Sequence, residues 1–205
     1  MNKEELWTNA DGMVIGYGKR STEEPPNPQA VWDDLRFPVA SINPTGPSAP
    51  ATVNADIGVL EFSASATNVI CFQFQMPHAW EQYTDIKPHL HWRKASSGAG
   101  NVVWQLTYEI VNPGDVYTDT PTTVLASTVV DGTPDDGTAK RHLITSFGEV
   151  DMSTKRISCM GICTVSRLGG NAADTYAGVA QLLEVDIHYL IDSLGSSAEF
   201  TKVEL

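Results

Sequence analysis

The sequence predicts an all-β fold, an eight-stranded antiparallel β-sandwich of the jelly-roll type with an extended N-terminal arm. Three observations support this prediction. Apolar and polar residues alternate with a period of two from about residue 57, turn-forming clusters separate the alternating stretches, and no segment of useful length has a helical period. Eight short strands at this spacing indicate a sandwich or a barrel, and a jelly roll packs eight strands into two sheets. Periodicity leaves the strand order open.

The alternating stretches lie between residues 58 and 192. The clearest of them is 101–111, in which the apolar residues Val102, Trp104 and Leu106 alternate with more polar neighbours. Clusters of Gly, Pro, Asn, Asp and Ser lie between the stretches and predict turns. The eight predicted strands are 58–62, 68–76, 86–93, 101–111, 122–130, 141–147, 156–167 and 180–192.

Proline divides the chain at about residue 50. Seven of the twelve prolines lie in the first fifty residues, and each one fixes φ and removes a backbone donor. We therefore expect residues 1–50 to form an extended arm outside the core and residues 51–205 to form the sandwich domain. Apolar anchors favour an arm that becomes ordered by docking on a partner over a disordered tail. These partner-binding anchors are Trp7, Tyr17, Trp32, Leu35 and Phe37.

The charge of the chain excludes two classes of partner. The formal net charge is −12 and the sequence pI is about 4.6. Nucleic-acid binding depends on basic side chains that release counterions from the phosphates, so a surface this acidic repels nucleic acid. An anionic membrane surface is disfavoured for the same reason. We expect neither nucleic acid nor membrane as a principal partner.

The cysteines and the N-terminus indicate where the chain folds. Cys71, Cys159 and Cys163 are an odd number without a disulfide pattern, and we expect them to be buried thiols. The first residues lack the features of a signal peptide, and no run approaches the roughly 18 apolar residues of a membrane-spanning helix. The sequence thus predicts a protein made in a reducing cytoplasm.

The strongest chemical motif is Pro-His-Leu-His-Trp at 88–92. Residues i and i+2 of a strand point to the same side, so His89 and His91 are neighbours on one face. The pair resembles the metal-binding element of cupins, but Arg93 and Lys94 follow where that pattern expects a glutamate. A cation beside the pair opposes metal binding, so we expect polar packing or a subunit interface instead. Third ligands for a metal would have to come from His78, His142 or His188.

The last predicted strand carries a second polar stripe. Its polar side chains alternate with apolar ones, which predicts one buried face and one charged face. The charged face is either solvated or paired with the histidine stripe, within the chain or across a symmetric contact between subunits. The second alternative predicts an interface stripe of His89, His91, Arg93, Glu184, Asp186 and His188.

The sequence matches no catalytic template. The nucleophile elbow, the phosphate-binding loop and the dinucleotide-binding turn are all missing. We therefore predict no enzyme, no catalytic residue, no metal and no cofactor. The alternative from another class is a cupin-like metal-dependent enzyme that uses His89 and His91. A further alternative is a carbohydrate-binding sandwich with a platform of Trp80, Tyr83 and Trp92.

Five stretches together resemble a group of tailed-phage and prophage structural proteins. They are Trp-Asp-Asp-Leu-Arg-Phe-Pro at 32–38, Gln-Met-Pro-His at 75–78, Pro-His-Leu-His-Trp at 88–92, Asn-Val-Val-Trp-Gln-Leu-Thr-Tyr-Glu at 101–109, and Asp-Ile-His-Tyr-Leu-Ile-Asp-Ser-Leu-Gly-Ser at 186–196. The resemblance extends from about residue 31 to the end of the chain.

The resemblance implies a bacteriophage virion structural protein, in particular a capsid decoration (cement) protein that stabilises the head shell through its arm. Such a protein is a homotrimer located in the virion, with the major capsid protein or other virion proteins as its partners. The alternative within this class is a neck or tail component, such as a head-to-tail or fibre-attachment piece. A pre-extended arm suits either role because it loses less entropy on docking.

Overall fold

β-Strands are the main secondary structure of the computed structural model. The model describes residues 4–8, 14–19, 31–42, 44, 51–54, 58–126, 137–192 and 195–202. These residues contain no α-helix and one turn of 3-10 helix at Val39–Ser41. The strands are β1 (Glu4–Thr8), β2 (Val14–Lys19), β3 (Val31–Pro38), β4 (Ala51–Asn54), β5 (Val59–Phe62), β6 (Thr67–Gln75), β7 (Lys87–Lys94), β8 (Trp104–Val111), β9 (Thr122–Ala126), β10 (Leu143–Ser146), β11 (Met160–Leu168) and β12 (Ala180–Ile191).

Two antiparallel sheets form a sandwich. The first has the order β10-β7-β12-β5-β4, with β3 also paired to β12, and the second has the order β6-β11-β8-β9. The eight strands from β5 onward pair first with last: β5 with β12, β6 with β11, β7 with β10, and β8 with β9. This nested pairing is a long hairpin rolled into two sheets, which is the jelly-roll arrangement. The predicted fold class is confirmed.

Each of the eight predicted strands is present close to its expected position. The alternation that predicted them decides which side chains enter the core: in β6, for example, Ile70, Phe72 and Phe74 are buried while Gln73 and Gln75 are exposed. Large aromatic side chains fill the space between the sheets. Trp104 packs edge-on against Phe62 and Trp92, with ring centroids 5.0 and 5.7 Å apart. For the predicted strand 122–130, residues 127–130 lie outside the described residues.

Strand β3 corrects the predicted division at residue 50. Residues 31–38 pair with β12 from Glu184 to Ile191, and Phe37 packs against Phe72 with ring centroids 4.9 Å apart. Val39 and Ile42, which follow β3, are buried in the core. The prediction that the whole arm lies outside the core is therefore wrong for residues 31–42. The prediction was based on the proline content of all fifty residues, although residues 29–37 contain no proline and can form a strand. Pro38 is compatible with that strand because an edge strand tolerates a proline at its end.

Strands β1 and β2 form a separate two-stranded antiparallel sheet, with Glu4 paired to Lys19 and Trp7 to Gly16. Trp7 and Tyr17 thus lie on a hairpin, and their side chains are outside the described part of the structure. Among the described residues, no helix is long and apolar enough to cross a membrane.

Candidate functional site

The two polar stripes that the sequence suggested come together within one chain. Strands β7 and β12 are neighbours in the first sheet, with Asp186 opposite His89 and Glu184 opposite His91. All four side chains lie on the outer face of the sheet because the alternate residues of both strands face the core. Of the two arrangements left open by the sequence, the structure shows the pairing within the chain.

A β-bulge in β12 sets this alignment. The register against β7 shifts between Leu182, which pairs with Trp92, and Glu184, which pairs with His91. Leu183 is therefore the extra residue on its strand, and a bulge of this kind changes the direction in which the following side chains point. Without it, the phase of β12 would direct Asp186 toward the core and away from the histidines.

Three potential ligand atoms converge at the centre of the outer face. Nε2 of His89 lies 3.1 Å from Nε2 of His91. Oδ2 of Asp186 lies 3.4 Å from the His89 nitrogen and 3.5 Å from the His91 nitrogen. The three atoms thus form a nearly equilateral triangle of two imidazole nitrogens and one carboxylate oxygen. We call His89, His91 and Asp186 the His-His-Asp triad.

The remaining ring nitrogens of the triad have partners of their own. Nδ1 of His89 is 3.3 Å from the carbonyl oxygen of Lys87, which can only accept a hydrogen bond. Nδ1 of His91 is 2.7 Å from Nε2 of His142. With a proton kept on each Nδ1, loss of the Nε2 protons that face Asp186 would leave both Nε2 lone pairs directed into the triad. Outer partners of this kind fix the tautomer and orientation of histidine ligands in metal sites.

The centre of the triad is buried although it lies on an outward face. His89 is 5% exposed and Asp186 is 4% exposed. Burial acts to raise the pKa of Asp186, but hydrogen bonds from His89 and His91 outweigh burial and hold that pKa far below its usual range. Burial likewise acts to lower the pKa of His89, but the contact with Asp186 outweighs it and the pKa is raised. Within the described residues, Oδ1 of Asp186 has no hydrogen-bond partner.

A second, more exposed group adjoins the triad. Nε2 of His188 lies 3.1 Å from Oδ1 of Asp34, and the rings of His188 and His89 are 4.2 Å apart. Trp32 covers this end of the group, with its ring 6.3 Å from that of His188 and the Lys87 ammonium 4.8 Å above it. Burial lowers the pKa of His188, and the charge of His89 lowers it further. Strand β3 therefore brings Asp34 and Trp32 to the histidines.

An open cleft of about 430 Å³ lies beside the triad. At its rim, the guanidinium of Arg36 donates two hydrogen bonds to the carboxylate of Glu184, at 2.6 and 2.7 Å. This contact raises the pKa of Arg36. The residues around the cleft are Asp34, Arg36, His91, His142, Leu183, Glu184 and Asp186.

The two cations that follow the histidines in sequence point to other partners. Arg93 donates to Oε1 of Gln181 at 2.8 Å. The Lys94 ammonium is buried and donates to the carbonyl oxygens of Gly98 and Gly100, at 3.0 and 2.8 Å. Lys94 takes the inward side of β7, opposite to the triad, so its position in sequence was a poor guide to its distance from the histidines.

Other residues singled out in the sequence lie elsewhere. His78 is bonded to Ser196 and Ser158, so it is not part of the triad. Trp80 and Trp92 are buried, and Tyr83 is the one exposed member of the carbohydrate platform considered above, so that platform is not formed. Among the expected arm anchors, Trp32 is half-exposed, whereas Leu35 and Phe37 pack against the core of the same chain.

Sequence reasoning missed Asp34, and it placed Asp186 in the interface stripe and not among the candidate metal ligands. The third ligand atom comes from Asp186, although three histidines were the candidates for that position. Asp34 falls in the predicted arm and is absent from the candidate site residues, yet it reaches the site because β3 pairs with β12. Only a pattern of alternation at 31–37, apolar at Leu35 and Phe37, signals that this stretch is a strand with an outward Asp34.

The outer face of the second sheet has a different character, and we call it the neutral face. It contains three exposed apolar side chains, with Leu125 55%, Met160 39% and Ile162 44% exposed. Glu109 is its one charged residue, and its carboxylate accepts hydrogen bonds from Thr118. The neutral face consists of Val69, Cys71, Gln73, Gln75, Gln105, Thr107, Glu109, Val111, Thr123, Leu125, Met160, Ile162 and Thr164.

No protein-family model matches the chain, and no curated protein matches it. Among solved structures, that of TmCBM61 in complex with beta-1,4-galactotriose is similar over 79% of this chain and 88% of that chain, with 12% sequence identity and a TM-score of 0.32. A likeness at this level carries no argument about fold or function.

Proposed function

We propose that the protein is a structural component of a tailed-phage particle, a capsid decoration protein that forms a homotrimer and attaches to the head shell through its N-terminal residues. The resemblance of 32–38, 88–92 and 186–196 to phage structural proteins supports the class. In the fold these stretches lie side by side, because β7 and β3 pair with opposite edges of β12.

The neutral face is the observation that carries the proposal of self-assembly. Copies of a chain with a net charge of −12 repel each other wherever acidic surfaces approach. The neutral face is a broad exposed surface with one charged residue, and the centres of protein interfaces are depleted of charge. A second copy of this chain is therefore its proposed occupant, and the acidic remainder of the surface keeps unassembled copies soluble.

The edge strand β3 is the proposed attachment of the arm to the sandwich. Its eight residues pair with β12, and Phe37 packs against Phe72, so the chain is held on the sandwich from residue 31 onward. In this arrangement Leu35 and Phe37 form the fixed root of the arm. Trp7 and Tyr17, on β1 and β2, are the proposed contacts with the major capsid protein.

The oligomeric state tests the role of the neutral face. Light scattering after size exclusion is expected to give a trimer for the wild type and a monomer for Ile162→Glu, because the new carboxylate would be buried between like-charged copies. Phe200→Glu is the matched control, since Phe200 is 60% exposed and lies outside the neutral face. A monomeric wild type, or a trimeric Ile162→Glu variant with a native melting temperature, would refute self-assembly through this face.

The position in the particle is tested by copy number. Quantitative mass spectrometry of purified virions is expected to give a copy number that matches the threefold positions of the shell. A variant that lacks residues 1–30 is expected to fold and trimerise but to be absent from virions. A copy number that matches the ring symmetry of the neck or tail would move the protein there, and absence of the wild-type chain from virions would refute the proposal.

A further inference from the structure

We propose that Nε2 of His89, Nε2 of His91 and Oδ2 of Asp186 bind one divalent transition-metal ion, and that Zn²⁺ is the ion that fits best. The proposal goes beyond the structural role above and does not depend on it. It rests on the spacing of the three atoms, the direction of their lone pairs, the burial of the carboxylate and the type of ligand.

The spacing fits a tetrahedral ion. The three distances between the ligand atoms are 3.1, 3.4 and 3.5 Å. In a regular tetrahedron this separation corresponds to a metal–ligand distance of about 2.0 Å, and zinc sites have roughly 2.0–2.1 Å to nitrogen and 2.0–2.2 Å to oxygen. An ion slightly above the plane of the three atoms would therefore reach all of them without movement of the strands.

The triad directs electron-rich atoms at one another. The carbonyl oxygen of Lys87 accepts a hydrogen bond from Nδ1 of His89, and Nε2 of His142 accepts one from Nδ1 of His91. In the neutral tautomers with the proton on Nδ1, Nε2 of His89 and Nε2 of His91 carry no proton. Two imidazole lone pairs and a carboxylate oxygen then face one point. Protons on Nε2 balance this set in the metal-free chain, and a bound cation would take their place; both histidines already have the outer partners that metal-bound imidazoles use.

Burial and charge favour a cation as well. Asp186 is 4% exposed, and within the described part of the chain its Oδ1 has no hydrogen-bond partner. A buried carboxylate with an unpaired oxygen is costly unless a cation or another donor is supplied. Asp34 adds a second carboxylate on the same face.

The ligand set selects the class of metal. Imidazole and carboxylate together suit Zn²⁺ and the neighbouring transition metals, whereas Ca²⁺ and Mg²⁺ prefer six or more oxygen ligands. Three protein ligands leave one tetrahedral position open. The cleft next to His91 and Asp186 gives solvent access to that position, and His142 and Glu184 are at its edge. A water molecule or a small anion is the expected fourth ligand.

A second set, Asp34, Asp186 and His188, also has ligand atoms close together. It shares Asp186 with the triad, but Asp34 and His188 have about half of their side chains exposed, and each already contacts the other at 3.1 Å. We therefore assign the ion to the triad. His188 and Asp34 act beside it as part of its surroundings.

Zinc binding by the untagged full-length protein tests the assignment. Elemental analysis after dialysis against Zn²⁺ is expected to give one ion per chain, and competition with a chromophoric chelator gives the affinity. His91→Gln is the main variant because the His91 side chain is 23% exposed and tolerates change better than Asp186. Loss of an outer partner lowers metal affinity by roughly 10–100-fold. We expect the Zn²⁺ affinity of His142→Gln to fall by an amount in that range and the Zn²⁺ affinity of His91→Gln to fall by more.

His78→Gln is the matched control, because His78 is also a hydrogen-bonded histidine but lies outside the triad. It is expected to bind Zn²⁺ like the wild type. The visible spectrum of the Co²⁺-loaded wild type provides a readout without any variant, since a tetrahedral site gives intense absorption bands. Failure of the wild type to retain Zn²⁺, an octahedral Co²⁺ spectrum, or equal losses in His78→Gln and His91→Gln would each overturn the assignment.

Discussion

The guanidinium of Arg167 forms a two-point ion pair with the carboxylate of Asp174 at one end of the sandwich, at 3.0 and 2.7 Å. The pair is inaccessible, with side-chain exposures of 0% and 1%. The other Arg167 donors reach the carbonyl oxygens of Phe62, Tyr176 and Gly178. A buried guanidinium is costly unless all its donors are paired, and this one ties β11 to the chain that leads into β12.

Arg167→Met is expected to destabilise the fold by roughly 3–5 kcal/mol, because it leaves the Asp174 carboxylate buried without its partner. Chemical denaturation followed by fluorescence measures the loss. Arg36→Met is the matched control, since Arg36 also makes a two-point pair, with Glu184 at 2.6 and 2.7 Å, but has a side chain 65% exposed. Solvent screens such a pair, so the midpoint of unfolding should barely move. Similar losses in both variants would contradict the importance of burial.

Gly161 is expected to tolerate no side chain. It lies opposite Phe74 on the inward side of β11, and a Cβ atom would lie 2.2 Å from the Phe74 ring. Gly161→Ala should therefore destabilise the protein by roughly 1–3 kcal/mol through overpacking. Gly170→Ala is the control, because a Cβ there meets nothing within 4 Å. Thermal unfolding of the two variants checks the prediction, and an unchanged Gly161→Ala variant would show that the Phe74 ring can move aside at no cost.

The cysteines are expected to differ in reactivity. Burial raises the pKa of Cys159 to about 11 and that of Cys163 to about 12, so at pH 8 both remain neutral thiols, which are poor nucleophiles. Cys71 is half-buried on the neutral face. Brief treatment of the Ile162→Glu variant, in which the neutral face is expected to be uncovered, with iodoacetamide at pH 8 should add one label, at Cys71, and denaturant should add two more. Rapid labelling of all three in the native protein, counted by mass spectrometry, would contradict this burial.

The period of two was enough to predict eight strands and the face on which most of their residues lie. It placed His89 and His91 on one side of a strand and Asp186 on one side of another, both opposite to the apolar set. Each of these statements depends only on the alternation of neighbours within a strand. That is why alternation found the two halves of the site, while their pairing within one chain stayed one of several alternatives.

Strand order depends on contacts between residues far apart in sequence, which local alternation does not encode. Asp186 meets His89 only because β12 pairs with β7, and Asp34 arrives through the pairing of β3 with β12. The bulge at Leu183 also has no sequence signature of its own. The expectation that Lys94 opposes a metal at the histidines is wrong for a related reason. Its ammonium lies on the inward side of β7 and donates to carbonyl oxygens of a loop, which the sequence did not indicate.

Deletion of residues 1–42 is expected to destabilise the sandwich, whereas deletion of residues 1–30 is not. The longer deletion removes β3 and exposes the core where Phe37 packs on Phe72. It also removes the buried side chains of Val39 and Ile42. Each buried apolar side chain of this size stabilises the fold by roughly 1.5–3 kcal/mol.

The melting temperature of the longer deletion should therefore fall by roughly 10 °C or more relative to the shorter one. The comparison cancels whatever residues 1–30 contribute, so it isolates β3 and the turn that follows it. Binding of a hydrophobic dye gives a second readout, since loss of β3 uncovers Phe72 and its neighbours. Equal melting temperatures for the two deletions would restore the boundary at residue 50 and would make residues 31–42 part of a detachable arm.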